Sequence, residues 1–180
     1  MLNEEQQEEV EKEPMGDDDI KRYFPGAKII VYSDLSKYQN IEDLLPRDKD
    51  FSFILLESSP NKGHWTSLSK YGKTCEFFDS YGGAPDSQLK WNDKTTNAEL
   101  GQGTKLLSNL LKNFKGEVVY NPVRYQGNGG EINTCGRHCT FRIQNMKDGK
   151  NLDAYLDHMK KLKSNMDVDY DGVVANFIRS

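Results

Sequence analysis

Two groups of residues in this sequence could do chemistry. The first is the stretch EINTCGRHCTFR, residues 131–142, which brings Cys135, His138 and Cys139 close together along the chain. Spacing alone allows a metal site, half of a disulfide, or a nucleophile with bystanders. A structural zinc site takes four ligands, usually from two pairs, and the remaining Cys75, His64 and His158 are scattered with no second pair. Three cysteines are an odd number, which argues against a disulfide framework. A nucleophile asks for an acidified thiol. The glycine-rich GNGG, residues 127–130, leads into Cys135-Gly136 at an expected helix start, where free N–H groups and the positive dipole end favour a thiolate. Gly136 would let the backbone approach a substrate carbonyl closely, so N–H groups near Cys135 could form part of an oxyanion hole. Cys139, one turn further on, reads as core, His138 as helix packing or surface, and Cys75 as a small buried hydrophobe.

The second group is His64 and Asp79, on the two arms of an expected hairpin, HWTSLSK and KTCEFFDSYG. If Tyr71-Gly72 is a two-residue turn, Lys70 faces Lys73 and His64 faces Asp79, with Cβ atoms roughly 4.5–5.5 Å apart. Moving the turn to Gly72-Lys73 makes them diagonal neighbours but preserves the shared face. A carboxylate there would orient an imidazole base and stabilise its protonated form.

Gly63-His64-Trp65 after a buried strand, Asp79 in FFDSYG, then Gln126 and NTCGRH together resemble the adenovirus-type and deSUMOylating cysteine proteases, most of all the maturation proteases of virophages, Polinton-type elements and large DNA viruses. The likeness spans residues 20–180. It implies His64 as general base, Asp79 as its orienting acid, Cys135 as nucleophile, Gln126 as a side-chain donor to the oxyanion, and Trp65, which by type reads first as core and could be both, as a wall of the substrate site beside Gly136. It also implies a cysteine endopeptidase cutting viral capsid or other virion precursors near glycine or other small residues, in the infected-cell cytoplasm or viral factory and in the virion. The alternatives are a ubiquitin/SUMO-type isopeptidase, an acyltransferase, or a non-catalytic capsid-interaction protein. No cofactor or metal is called for. A monomer without membrane contact is expected, and a nucleic acid or peptide could serve as activator.

The elements that must position these residues read as α+β: a single-domain adenovirus-protease-like fold with a central mixed sheet flanked by helices and the nucleophile at a helix N-terminus. Strands are expected near Lys28–Tyr32, over DFSFILLES (a continuous apolar run suited to burial on both faces), along the hairpin, and over GEVVYNPVRYQ. Helices are expected over NAELGQGTKLLSNLLKNF, from Cys135 onward, over NLDAYLDHMKKLK and over VVANFI. At 180 residues the chain suits one domain with its own core.

Residues 1–19 carry nine acids and one Lys, a net of −8 within a whole-chain charge of −4, which leaves about +4 for the rest. That acidic, aromatic-free run reads as a disordered tail, so its deletion should leave the fold intact. It is no signal peptide, and no apolar run approaches the roughly 18–20 residues of a membrane span, so a reducing intracellular setting is expected. DVDYDG, residues 167–172, imitates the start of a calcium loop, but the twelfth position is Ile178 rather than a bidentate Glu, and Asp171 is expected to cap the last helix.

Overall fold

The computed structural model describes residues 1–180. Five strands, β1 (Lys28–Val31), β2 (Asp50–Ser59), β3 (Lys62–Tyr71), β4 (Thr74–Phe78) and β5 (Glu117–Tyr120), form one sheet in sequence order. β1 runs parallel to β2 and β5 to β4, while the three middle strands are antiparallel, so the sheet is mixed. The apolar run of β2 is buried on both faces because the period of two sends successive residues to opposite layers. Phe53 and Leu55 join Trp65 and Phe78 under α2 (Asp17–Tyr23), α6 (Cys135–Lys147), α7 (Leu152–Met166) and α8 (Tyr170–Phe177). Ile54 and Leu56 join Leu68 and Phe77 under α3 (Ile41–Leu44) and α5 (Leu106–Leu111). This is the α+β arrangement expected, with Cys135 as the first residue of a helix. No helix is long and apolar enough to cross a membrane.

The hairpin adopts the second of its two expected registers. Tyr71 pairs with Thr74, so Gly72-Lys73 is the turn, and Gly72 has a φ of 56° that glycine takes without strain. The single helix expected over residues 97–114 is two, α4 (Lys94–Glu99) and α5, separated where Gly101 has a φ of 72°. Beside that break, Gln102 accepts the Glu57 N–H at 2.9 Å and donates to the Glu57 carbonyl at 3.0 Å, anchoring the end of β2. Asp169, not Asp171, caps α8, accepting the Gly172 N–H at 2.8 Å.

The largest departure is the N-terminal segment. It is not a disordered tail. α1 (Glu4–Lys12) starts in a capping box, with Asn3 accepting the Gln6 N–H and Gln6 returning to the Asn3 N–H, and the helix packs on α8. Leu2 N–H donates to Asn176 at 2.7 Å, and Met15, 3% exposed, sits in the core with its carbonyl receiving Trp65 Nε1–H at 2.9 Å. Composition concealed this because few contacts anchor the segment, and several lie on its backbone rather than on its side chains.

Two outcomes follow from this attachment. Met15→Ala is expected to destabilise by about 2–5 kcal/mol, the range for emptying a buried methionine site, as measured by urea unfolding. An unchanged midpoint would return the segment to a solvated leader. Glu11 is buried against Asp169, and burial first, then that charge, lifts its carboxyl from the ordinary 4.5 to about 7. The packed helix therefore favours the neutral acid, and its attachment weakens as pH rises through about 7. Proteolytic nicking of residues 1–16 should increase over that rise in the wild type and stay flat in Glu11→Gln; equal pH profiles would refute it.

Candidate active site

β3 carries His64 to the rim of the sheet, the chain leaving β4 carries Asp79, and the N-terminus of α6 supplies Cys135. His64 Nε2 lies 2.7 Å from Asp79 Oδ1. With that nitrogen committed, Nδ1 is the ring atom left for Cys135. Asp79 is fully buried and well supplied with donors: Tyr81 N–H at 3.0 Å, Gln88 Nε2 at 2.8 Å, and an Asn121 amide holding its backbone carbonyl at 2.9 Å. Burial raises its pKa, but the His64 hydrogen bond and charge, with these donors, hold it below the usual carboxylate range.

The same opposition governs the other two. Burial works against a charged His64, yet the Cys135 charge and the Asp79 hydrogen bond outweigh it and raise the imidazole pKa. Burial also works against a Cys135 thiolate, and is outweighed by the His64 charge and by N–H groups of Trp65 and Gly136, so the thiol is lowered. Trp65 N–H points at Cys135 Sγ from 3.4 Å. The arrangement favours a thiolate–imidazolium pair.

Around it, the His64 ring stacks on Tyr81, with centroids 5.1 Å apart, and meets Trp91 edge-on at 5.2 Å. Gln126 is 3% exposed, and its amide is pinned at both ends: Oε1 accepts Ser80 Oγ–H at 2.7 Å and Nε2 donates to Ile132 O at 3.2 Å. One N–H of that amide remains for the cleft. The cleft encloses about 400 Å³ between the β2–β3 hairpin end and Ile132–Asn133, with Trp91 on its wall and His64, Gln126 and Cys135 at its base.

Over 130 residues the chain is 36% identical to the uncharacterized protein V9 of Sputnik virophage, a match covering 72% of this chain and 71% of that protein. The chain belongs to the V9 family. No family model matches it. Among solved structures it is similar to the ASFV pS273R protease (TM-score 0.44, 13% identity, 78% of this chain), spanning only 60% of that chain. It is also similar to the C-terminal Ulp1 protease domain in complex with Smt3, the yeast ortholog of SUMO (TM-score 0.41, 16% identity, 97% of this chain and 72% of that one). At such scores the function has to rest on the geometry of the site.

In this V9-family chain, His64, Asp79, Gln126 and Cys135 come together, and two other expected site residues do not line the cleft. Trp65 is 6% exposed, with its ring edge-on to Phe53 and its Nε1 on Met15, so it is core. Trp91, exposed on a 3₁₀ turn (Ser87–Trp91), stands where Trp65 was expected. Gly136 is buried against the N-terminal segment; a Cβ there would fall 2.9 Å from Met15 Cβ. Its small size serves packing. His138 is not at the surface but fully buried on Asp171 at 2.9 Å, and Cys139 is core. Tyr81, Gln88 and Trp91 were missed; only Tyr81, two residues past Asp79, lay within a stretch already singled out.

Because the thiol is lowered and the imidazole raised, the ion pair is the expected form at neutral pH. Alkylation of Cys135 by iodoacetamide should therefore stay fast well below the ordinary thiol range of about 8.5. Asp79→Asn should narrow that window, since the imidazolium loses its partner. A wild-type profile that follows a free thiol would disprove the pairing.

Proposed function

We propose that this chain is a cysteine endopeptidase that cleaves capsid or other virion precursor polypeptides near glycine or other small residues. The observation that carries the reading is the His64–Asp79 pair at 2.7 Å set against Cys135 at a helix N-terminus, with His64 and Cys135 facing one cleft and Asp79 buried behind the imidazole. The thiolate attacks the scissile carbonyl, and the developing oxyanion is met by the free N–H of Gln126 and the Cys135 backbone N–H. The His64 imidazolium gives its proton to the leaving amine as the C–N bond breaks. Water, deprotonated by His64, then adds to the thioester, and collapse releases the carboxylate product and the thiolate. Asp79 holds the ring throughout without taking a proton.

The V9 relative in a virophage supports a viral setting, and the order His…Asp…Gln…Cys supports precursor processing. The enzyme would act as a monomer in the infected cell and the assembling virion, with the N-terminal segment as part of its catalytic unit.

Iodoacetamide labelling followed by mass spectrometry tests this first. Fast, single-site labelling of Cys135 in the wild type should fall by about 10²-fold or more in His64→Ala, and co-expressed virion precursors should be cut by the wild type but not by Cys135→Ala. Slow, equal labelling of several cysteines in both proteins would sink the reading. Labelling without precursor cleavage would favour acyl transfer instead.

A further inference from the structure

Among the buried ionisable pairs that the reaction does not use is Asp171–His138. Asp171, 2% exposed near the start of α8, lies behind the catalytic helix and does not line the cleft. Its carboxylate receives three donors. Oδ2 takes Gly127 N–H at 2.8 Å, and Oδ1 takes Thr134 Oγ1–H at 2.6 Å and His138 Nε2 at 2.9 Å. These donors have a telling distribution along the chain. Gly127 is the residue after Gln126, Thr134 is the residue before Cys135, and His138 stands in the first turn of α6.

A single carboxylate therefore ties together the two ends of the loop 127–134, which separates the two groups offered to the oxyanion. The loop is otherwise a poor ruler. It contains three glycines, and its remaining tie to Gln126 is the hydrogen bond from Nε2 to Ile132 O. Gly127 must stay small for the arrangement, since a Cβ there would come within 3.0 Å of Asp171 Oδ2. His138 N–H closes the set by donating to the Thr134 carbonyl at 2.9 Å. The carboxylate is itself fixed, because its helix starts from the Asp169 cap two residues earlier.

We propose that Asp171, with Thr134 and His138, is a positioning set that holds Gln126 and the Cys135 N–H at one separation, so that both can meet the same oxyanion. The proposal rests on the thiol-protease reading of the cleft and touches its second half only: the set acts on the oxyanion hole, not on the thiolate. A misplacement of about 1 Å at such a site costs on the order of 10²-fold in rate.

That division supplies the test. Iodoacetamide alkylates Cys135 by displacement at a saturated carbon and forms no oxyanion, whereas acylation by p-nitrophenyl acetate passes through one. Asp171→Asn keeps the shape, but its lone carbonyl oxygen can serve only one end of the loop, turning an NH2 group against a donor at the other. The mutant should alkylate within about twofold of wild type, while its acylation burst slows roughly 10- to 100-fold. Thr134→Val should show the same split, and Thr134→Ser, which keeps the hydroxyl, should restore acylation. If Asp171→Asn does not fold, the Thr134 pair decides alone. Unchanged acylation in the variants, or a fall in both reactions together, would overturn the positioning role. Slow alkylation of the wild type would instead remove the protease reading beneath it.

Discussion

Helix α6 has little freedom to slide on the sheet, and the site inherits that restraint. Arg142, with no exposed surface, meets Glu76 of β4 through two parallel hydrogen bonds of 2.8 Å. Such a pair contributes little net stability, because desolvating both charges offsets most of their attraction. Its geometric consequence is large: any shift of α6 along its axis would break two charged hydrogen bonds in a medium that replaces neither. Two turns before Arg142, Cys135 sits against the Trp65 N–H of β3, and Cys139 Sγ–H reaches the Trp65 carbonyl at 3.6 Å. One strand residue thus contacts both cysteines through its backbone, and Cys135 is referenced to the strand that carries His64.

Around that frame the charges are arranged so that each buried group has a reason to be ionised. Taken singly, Asp79, His64 and Cys135 are all penalised by burial. Together, each supplies the opposite charge its neighbour lacks. The sequence of charges runs carboxylate, imidazolium, thiolate from the interior outward, with neutral donors from Tyr81, Gln88, Trp65 and Gly136 absorbing what remains. Tyr81 and Trp91 cover the imidazole on two sides and restrict water to the cleft, which keeps the pair from being screened.

Much of this was legible in the sequence for local reasons. Strand parity placed His64 and Asp79 on one face whichever turn was chosen, because moving the turn by one residue changes the pairing sum by two. A continuous apolar run suited a strand buried on both sides, and glycines leading into Cys135 suited a loop entering a helix. The failures share a different cause: they depend on contacts between distant segments. Trp65 reads as core or wall from its strand alone, and the distant Met15 carbonyl and the Phe53 ring commit it to the core. His138 reads as surface or helix packing, and only α8, bringing Asp171 to it across thirty-three residues, decides for packing. The acidic N-terminus looked unable to fold because its anchors, Met15 and a few backbone groups, are invisible to a count of charges.

Those non-local contacts converge on one stretch of backbone. The loop before Cys135 is held on its inner side by Asp171, and on its outer side by the N-terminal segment, where Asn133 N–H donates to Glu11 O at 2.7 Å and its amide to Lys12 O at 2.8 Å. Arg137, one turn behind, donates to the carbonyls of Glu13 and Ile178 and so joins both chain ends to α6. A loop of this composition would sample many conformations if left free, and the proposed oxyanion hole needs one. The fold meets that requirement from elements remote in sequence: the first sixteen residues and the last helix grip the same eight residues between them. The N-terminal helix belongs to the same structure as the cleft, since it forms the outer half of the mould in which the loop is set.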